Sequence, residues 1–379
     1  MNANAQNYNP WLHRFILVTG AATFLLLGSG GMVTSHEAGM SVPDWPNTYG
    51  YNMFWFPVSK WVGGIFYEHT HRLLASGIGL LTTVLAVWLW LRDPRPWLRW
   101  LGLLAFVLVA LQGVLGGLRV TLDMDKLGIV HGALAQLFFV LTCALALFTS
   151  RWWQNVAAVC DRRPAENVTV TYHRYKNLRS LVLATTLLIF LQLILGATMR
   201  HQHAGLAIPD FPAAYGKIWP DTSAAAVARY NADRMEVVSG NPITASQIAL
   251  QMVHRIVALA ILILVVVCAW RARRGGAGQD RAQAGPENVD PICRRLSLFW
   301  LGLIMAQIIL GAATIWSNKA ADVATAHVLV GALSLVTGAL WCIIAFGPPL
   351  AALGARHVED RRSKAGATIG GHPAMVGSK

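Results

Sequence analysis

The chain has 379 residues, 55% of them hydrophobic and only 13% charged, with a formal net charge of +13. Soluble domains carry about 25% charged residues, so a soluble protein is excluded. The basic excess does not mark a nucleic-acid binder either, because it sits in short segments between apolar runs and not on one stripe or face.

Eight apolar runs lie near 14–35, 70–91, 98–118, 128–150, 179–199, 247–270, 295–316 and 324–347. Each is close to the roughly 20 residues that a helix needs to cross a bilayer. Barrel strands are shorter and alternate, so the runs predict helices. The first run follows a polar N-terminus with the single cation Arg14, and no small-residue cleavage site follows it; it reads as an uncleaved span. No Arg- and Ser-rich transit segment precedes it, which points to a bacterial plasma (inner) membrane. Most Lys and Arg residues fall in the N-terminus, after the second run (Arg92, Arg95, Arg99), after runs four and six, and in the tail. All these segments share one side of the membrane, which predicts that both termini are cytoplasmic.

The segment after the first run holds a Pro-rich stretch, AGMSVPDWPNTYG from Ala38 to Gly50, and the segment after the fifth holds AGLAIPDFPAAYG from Ala204 to Gly216. The two stand 166 residues apart and agree at seven of thirteen positions. The outer loops also alternate long and short twice, near 36–69, 119–127, 200–246 and 317–323. A second echo is QGVLG at Gln112–Gly116, QLILG at Gln192–Gly196 and QIILG at Gln307–Gly311. An even number of spans per copy inserts both copies the same way up. The expected fold is an all-α membrane protein of two tandem, parallel-repeat four-helix bundles. Residues 1–150 form the first bundle, 151–178 a cytoplasmic linker, 179–348 the second bundle and 349–379 a disordered cytoplasmic tail. Residues 271–294, rich in Gly, Gln and Arg, read as a further cytoplasmic linker. The five cysteines (Cys143, Cys160, Cys268, Cys293, Cys342) avoid the outer loops, so no disulfide is expected there, and no C-x-x-C-H occurs for covalent haem attachment.

Four of the twelve histidines fall inside apolar runs: His71, His131, His254 and His327, one in each even-numbered run. The pair His71–Arg72 is echoed by His254–Arg255, and Gln112 precedes His131 by 19 residues as Gln307 precedes His327 by 20. Ionisable residues inside spans are rare and usually functional. A lone histidine is equally an interhelical hydrogen bond or a ligand; two per bundle at matching places favour a porphyrin clamped between imidazoles. Each histidine lies within about two turns of the outer end of its run, so both pockets are expected under the Pro-rich loops, each loop a lid on one. Arg72 and Arg255 are the candidate partners for propionates.

One position breaks the equality of the halves. Glu68 precedes His71 by three residues, and Gln251 precedes His254 by three. Residues at i and i+3 share a helix face, so Glu68 is a candidate acid or base beside the first porphyrin; a solvated charge at the membrane boundary is the other reading. Two equal sites would describe a dihaem b-type electron-transfer cytochrome. A secondary transporter, also built from repeats, would instead show broken helices and charges at midplane.

The E-x-x-H-R of Glu68–Arg72, the PDWPNTYG loop, the later His254–Arg255 and the paired His131 and His327 together resemble the haem A synthase family, over roughly residues 12–348. The resemblance implies oxidation of a ring methyl of haem O, through successive hydroxylations, to the formyl group of haem A. It implies Glu68 as the catalytic residue, with His71 and His131 on the iron of the substrate haem O and His254 and His327 as axial ligands of a haem b cofactor. The missing cysteine pair in the first outer loop resembles the cysteine-free, proteobacterial and mitochondrial branch. Implied partners are the farnesyltransferase that makes haem O, cytochrome oxidase assembly and the lipid bilayer, with a second copy of the chain left open and nucleic acid excluded. His36, His69, His201 and His203 receive no role.

Overall fold

The computed structural model of the chain describes residues 8–124, 126–154, 165–234, 242–274 and 289–369. Long helices dominate: α1 (Pro10–Ser35), α2 (Gly63–Arg92), α3 (Pro96–Thr121), α4 (Leu127–Thr149), α5 (Ala165–His201), α6 (Ala245–Arg274), α7 (Val289–Trp316) and α8 (Ala321–Ile369). Each contains a stretch apolar and long enough to cross a membrane, and the protein is a multi-pass, nearly all-helical membrane protein. The loops after α1 and α5 carry short 3-10 turns, and the latter also a short helix, Ala224–Ala232. Local chemistry sets the ends. Asn9 caps α1 by accepting from the Trp11 and Leu12 amides (3.0 and 3.1 Å), with Pro10 at the first helical position. Between α2 and α3 the buried Asp93 collects Arg95 at 2.7 Å, and Pro96 opens the next helix.

Helix packing repeats as the sequence does. In the first half α1 packs on α2 and α4, and α3 on α2 and α4, closing a ring of four; α5–α8 close the same ring. The halves meet where α1 packs on α8, α4 on α5, and α4 on α8. Exchanging the halves swaps the first two contacts and returns the third to itself, the signature of a two-fold axis between α4 and α8. Burial follows from this placement. Half of the apolar stretch of α8 and 39% of that of α4 are buried, against 17% for α3 and α7 on the outer sides.

Apolar clusters fill each bundle on the side away from the Pro-rich loops. The first centres on Leu12, Ile16, Leu85, Leu89, Leu98 and Leu145, and the second on Val182, Ile261, Val265, Trp300 and Trp341. Phe139, Ala332 and Val336 form a third at the junction, with Phe24 beside them. Several polar side chains in this region are satisfied locally. Thr19, Thr23, Thr185 and Thr186 donate to carbonyls one turn back, and Trp300 Nε1 donates to Ser334 O of α8 at 2.8 Å.

The helices exceed the apolar runs at several ends. α2 begins at Gly63 and not near 70, because its first turns carry the polar residues Glu68, His69, His71 and Arg72, which hydropathy reads as loop. α5 starts at Ala165, inside the expected 151–178 linker. α8 stays helical to Ile369, where composition suggests disorder from 349; the segment is rich in helix-forming Ala, Leu, Arg and Glu, and extending a formed helix is cheap. The rest of these segments (155–164, 275–288 and 370–379) lies outside the described residues. The described cysteines, Cys143, Cys268, Cys293 and Cys342, form no disulfide, and Cys160 lies outside the described residues.

Candidate functional site

The residues shared by the two Pro-rich loops are the ones that build the turn. The Asp44 carboxylate accepts from the Tyr49 and Gly50 amides at 2.7 and 2.8 Å, and Asp210 accepts from Tyr215 and Gly216 at the same distances. Gly50 and Gly216 take left-handed backbone (φ +76 and +71), which glycine adopts without strain. The Tyr49 hydroxyl donates back to Ser41 O at 2.6 Å, and Tyr215 to Ala207 O at 2.5 Å. Burial and the stacked Tyr230 ring push the Tyr215 hydroxyl up to about 12. Both copies contain a cis peptide, Trp45–Pro46 and Phe211–Pro212.

Each loop is fastened to the following helix by the residues singled out beside the histidines. Glu68 is only 4% exposed; its Oε2 accepts from the Val42 amide and its Oε1 from Arg72 Nη2, both at 2.8 Å. Arg72 also donates to the carbonyls of Val42 (2.8 Å), Asp44 (2.6 Å) and Asn47 (3.1 Å). In the second half Gln251, 2% exposed, accepts from the Ile208 amide at 2.7 Å and donates to Gly205 O and Ile208 O at 3.3 Å. Arg255 donates to Asp210 O and Ala213 O at 2.7 and 2.8 Å. Glu68 is therefore a buried strut under the loop and not a solvated boundary charge. Arg72 and Arg255 point donors into the loop backbone.

One turn below these struts lie the four histidines, all at the loop end of the molecule. At 1.5 Å per residue, His131 and His327 sit about 6 and 9 Å from the starts of α4 and α8. His71 and His254 sit about 12 and 14 Å into α2 and α6, in the third turn, because those helices begin ahead of the apolar runs. The imidazoles are paired within each bundle, His71 with His131 and His254 with His327, each pair within electrostatic reach. Each ring is half-buried, and each Nδ1 is sealed without a hydrogen-bond partner, so the accessible side of the ring carries Nε2. A glycine of the neighbouring odd-numbered helix makes room for every ring. A Cβ on Gly30, Gly116, Gly196 or Gly311 would stand 3.1, 3.5, 3.4 or 3.3 Å from Cε1 of His71, His131, His254 or His327.

Among the described residues no three His, Cys, Asp or Glu side chains gather to hold a bare metal ion. Two imidazoles per bundle are too few for a zinc site, which takes about four ligands, and the right number for the two axial positions of a haem. The donor set, the apolar bundle and the glycine-cleared space on either side fit that group.

Residues 51–339 match the family model COX15-CtaA, described as cytochrome oxidase assembly protein. The chain belongs to this family. It is similar to the heme A synthase of Rhizorhabdus wittichii, 27% identical over 87% of this chain and 92% of the relative. The heme A synthase of Shewanella oneidensis is 25% identical over 86% and 93%, and that of Shouchella clausii 25% identical over 69% and 76%.

Around the first histidine pair this COX15-CtaA member places groups that the sequence left unassigned. His69 is fully buried, its Nδ1 3.2 Å from Thr48 Oγ1 and its ring between Phe56 and Trp61; its counterpart is Met252 in an apolar cluster. His36 stacks on Tyr67 at 3.9 Å between ring centres, and His203 lies 3.4 Å from Glu37. His201 lies against Gly128 of α4, within electrostatic reach of His131. Two arginines were missed altogether. Arg119 of α3 passes under Gly39, where a Cβ would meet its guanidinium, and acts electrostatically on both His71 and His131. Arg200 of α5, bonded to Gly31 O and Ser35 Oγ at 2.9 and 2.8 Å, acts on His327. The signal was available: both are cations at the end opposite the Lys- and Arg-rich segments, against the usual charge bias.

Proposed function

We propose that this protein is a haem A synthase, oxidising a ring methyl of haem O to the formyl group of haem A for cytochrome oxidase assembly. The observation that carries the reading is the pair of matching two-histidine sites of which only the first has a buried carboxylate, Glu68 against Gln251. His71 and His131 hold the iron of haem O in the first bundle, and His254 and His327 hold haem b in the second. Haem b, when bound by His254 and His327, would supply a one-electron acceptor. Arg72 and Arg255, joined by Arg119 and Arg200, are the candidate propionate partners, since all four act electrostatically on the imidazoles.

Glu68 takes up a proton released at the oxidised methyl. The ion pair with Arg72 at 2.8 Å keeps the resting carboxylate charged and ready to accept. Taking the proton would break that pair, while Oε2 would still accept from the Val42 amide and Arg72 would keep its three loop carbonyls. The neutral Gln251 holds the same loop in the other half, so losing charge does not release the lid. The protein works in a bacterial plasma membrane, with both termini and the 151–178 and 271–294 segments in the cytoplasm and the Pro-rich loops outside. Haem O arrives from the farnesyltransferase that makes it. The absence of cysteine from the first outer loop supports the cysteine-free branch of the family. Pigment extraction from the purified protein tests the function: haem A or a hydroxylated haem O beside haem B is expected. Haem B alone would establish a dihaem cytochrome instead, and no pigment would exclude both.

A further inference from the structure

Three of the four histidines share a feature that the fourth lacks. Gln112 Nε2 donates to His131 O at 3.1 Å, Gln192 Nε2 to His254 O at 2.9 Å and Gln307 Nε2 to His327 O at 2.7 Å. Each glutamine stands four residues before the glycine that clears space for the same imidazole. In α1 that register, 166 residues before Gln192 and four before Gly30, is occupied by Leu26, which packs into the first core. The position matching those glutamines beside His71 thus carries a hydrocarbon side chain where the other three carry an amide.

The amides leave a second observation. With Nε2 on the histidine carbonyl, the amide orientation is fixed, because flipping it would set two carbonyl oxygens together. In that orientation the Oε1 atoms of Gln112 and Gln192 are buried and accept nothing, and the Nδ1 atoms of the imidazoles are buried and donate to nothing. The Nδ1 edge of His131 faces the helix that carries Gln112, since a Cβ on Gly116 would stand 3.9 Å from it. An imidazole bound to iron through Nε2 carries its proton on Nδ1, and an acceptor there orients the ring and strengthens the ligand. We infer that Gln112, Gln192 and Gln307 are positioning residues that accept from ligand imidazoles, and that His71, with Leu26 at the matching position, is the exchangeable ligand that lets haem enter and leave the first bundle. The inference rests on the assignment of haem to both bundles. It gives the asymmetry a use: a cofactor must stay, whereas a substrate must depart as product.

The test exchanges the two residues. Purified protein loaded with haem B is mixed with excess apomyoglobin, and transfer from each bundle is followed optically; the haem b midpoint potential is measured alongside. Outer partners of ligating histidines typically change metal affinity 10–100-fold. Leu26→Gln should slow haem loss from the first bundle about tenfold or more. Gln192→Leu should speed loss of haem b by a similar factor and raise its potential, because a weaker imidazole donor favours the ferrous state. Unchanged transfer in both variants overturns the inference, as does faster loss at an unchanged potential, which would mark a helix tie alone. Should Leu26→Gln fail to fold, Gln192→Leu decides by rate and potential together. Failure of the parent protein to take up haem in either bundle would instead overturn the proposed function.

Discussion

Replacing Glu68 by glutamine separates its two duties, holding the loop and carrying a proton. The strut is measurable from its contacts: one buried bond to the Val42 amide and one ion pair with Arg72, whose side chains are 5% and 10% exposed. Glu68→Ala strips both and leaves an uncompensated buried guanidinium, a loss of about 3–5 kcal/mol by comparison with other broken buried pairs. Glu68→Gln also removes the counter-charge of Arg72, but it keeps the acceptor for Val42 and fills the same space, as Gln251 does in the other half. Its structural cost should therefore be smaller than that of Glu68→Ala. If Glu68 takes a proton during methyl oxidation, the same variant should lose about 10²–10⁴-fold in haem A formation. Extracted haems from cells relying on each variant give the activity, and limited proteolysis of the 36–62 loop in isolated membranes gives the docking. Glu68→Gln is expected to protect the loop like the parent protein while making almost no haem A. Haem A within tenfold of normal would refute the proton role, and a loop cleaved as fast as in Glu68→Ala would refute the strut argument.

His254→Ala and His327→Ala should each abolish the low-spin haem b spectrum, which should largely survive Glu68→Ala; equal loss in all three would mean that the bundles do not hold separate sites. Reporter fusions at Pro46 and Pro212 should report the outside and fusions within 151–178 the cytoplasm, and the opposite sign would overturn the placement of both sites in the outer leaflet. Gly117→Ala would drive a methyl into the Trp45 ring and should lower stability by about 1–3 kcal/mol, the usual cost of overpacking. Its thermal midpoint should fall and the first loop should become protease-sensitive, and an unchanged midpoint would show that Trp45 has room to move.

Spans and repeat were legible in the sequence because both rest on composition along the chain, which hydrocarbon solvent enforces. The site was legible in part. The four histidines stood out as polar residues in apolar runs, and the Q-x-x-x-G echo was visible without its reason. That reason is a contact between helices: glutamine caps a carbonyl 19, 62 or 20 residues away, and glycine clears a ring. No periodicity reports such partners. Glu68 stood out as a candidate acid or base, but its duty as a strut did not, since its partner Val42 lies 26 residues back in a loop. The loop carbonyls that Arg72 and Arg255 bind were equally hidden, since their partners lie 25–45 residues back in the chain.

The differences between the halves follow a rule. Groups that set shape recur: the loop aspartates, the tyrosine back-bonds, the glycines beneath the rings and the arginine latches. Groups that change chemistry do not: Glu68 stands against Gln251, His69 against Met252, and Leu26 against Gln192. Packing follows suit, with Trp45 over Gly117 in the first half and the smaller Phe211 where the second half has Ala312. Of the three polar exchanges, two give the first side an ionisable group and one gives the second side an amide, the anchor proposed above. A common ancestor of the two pockets that merely carried electrons would need no such polarity. A scaffold with one resident and one transient porphyrin needs it in this direction, because a proton acceptor beside the resident group would serve no step, and an amide anchor on the transient one would hinder its release.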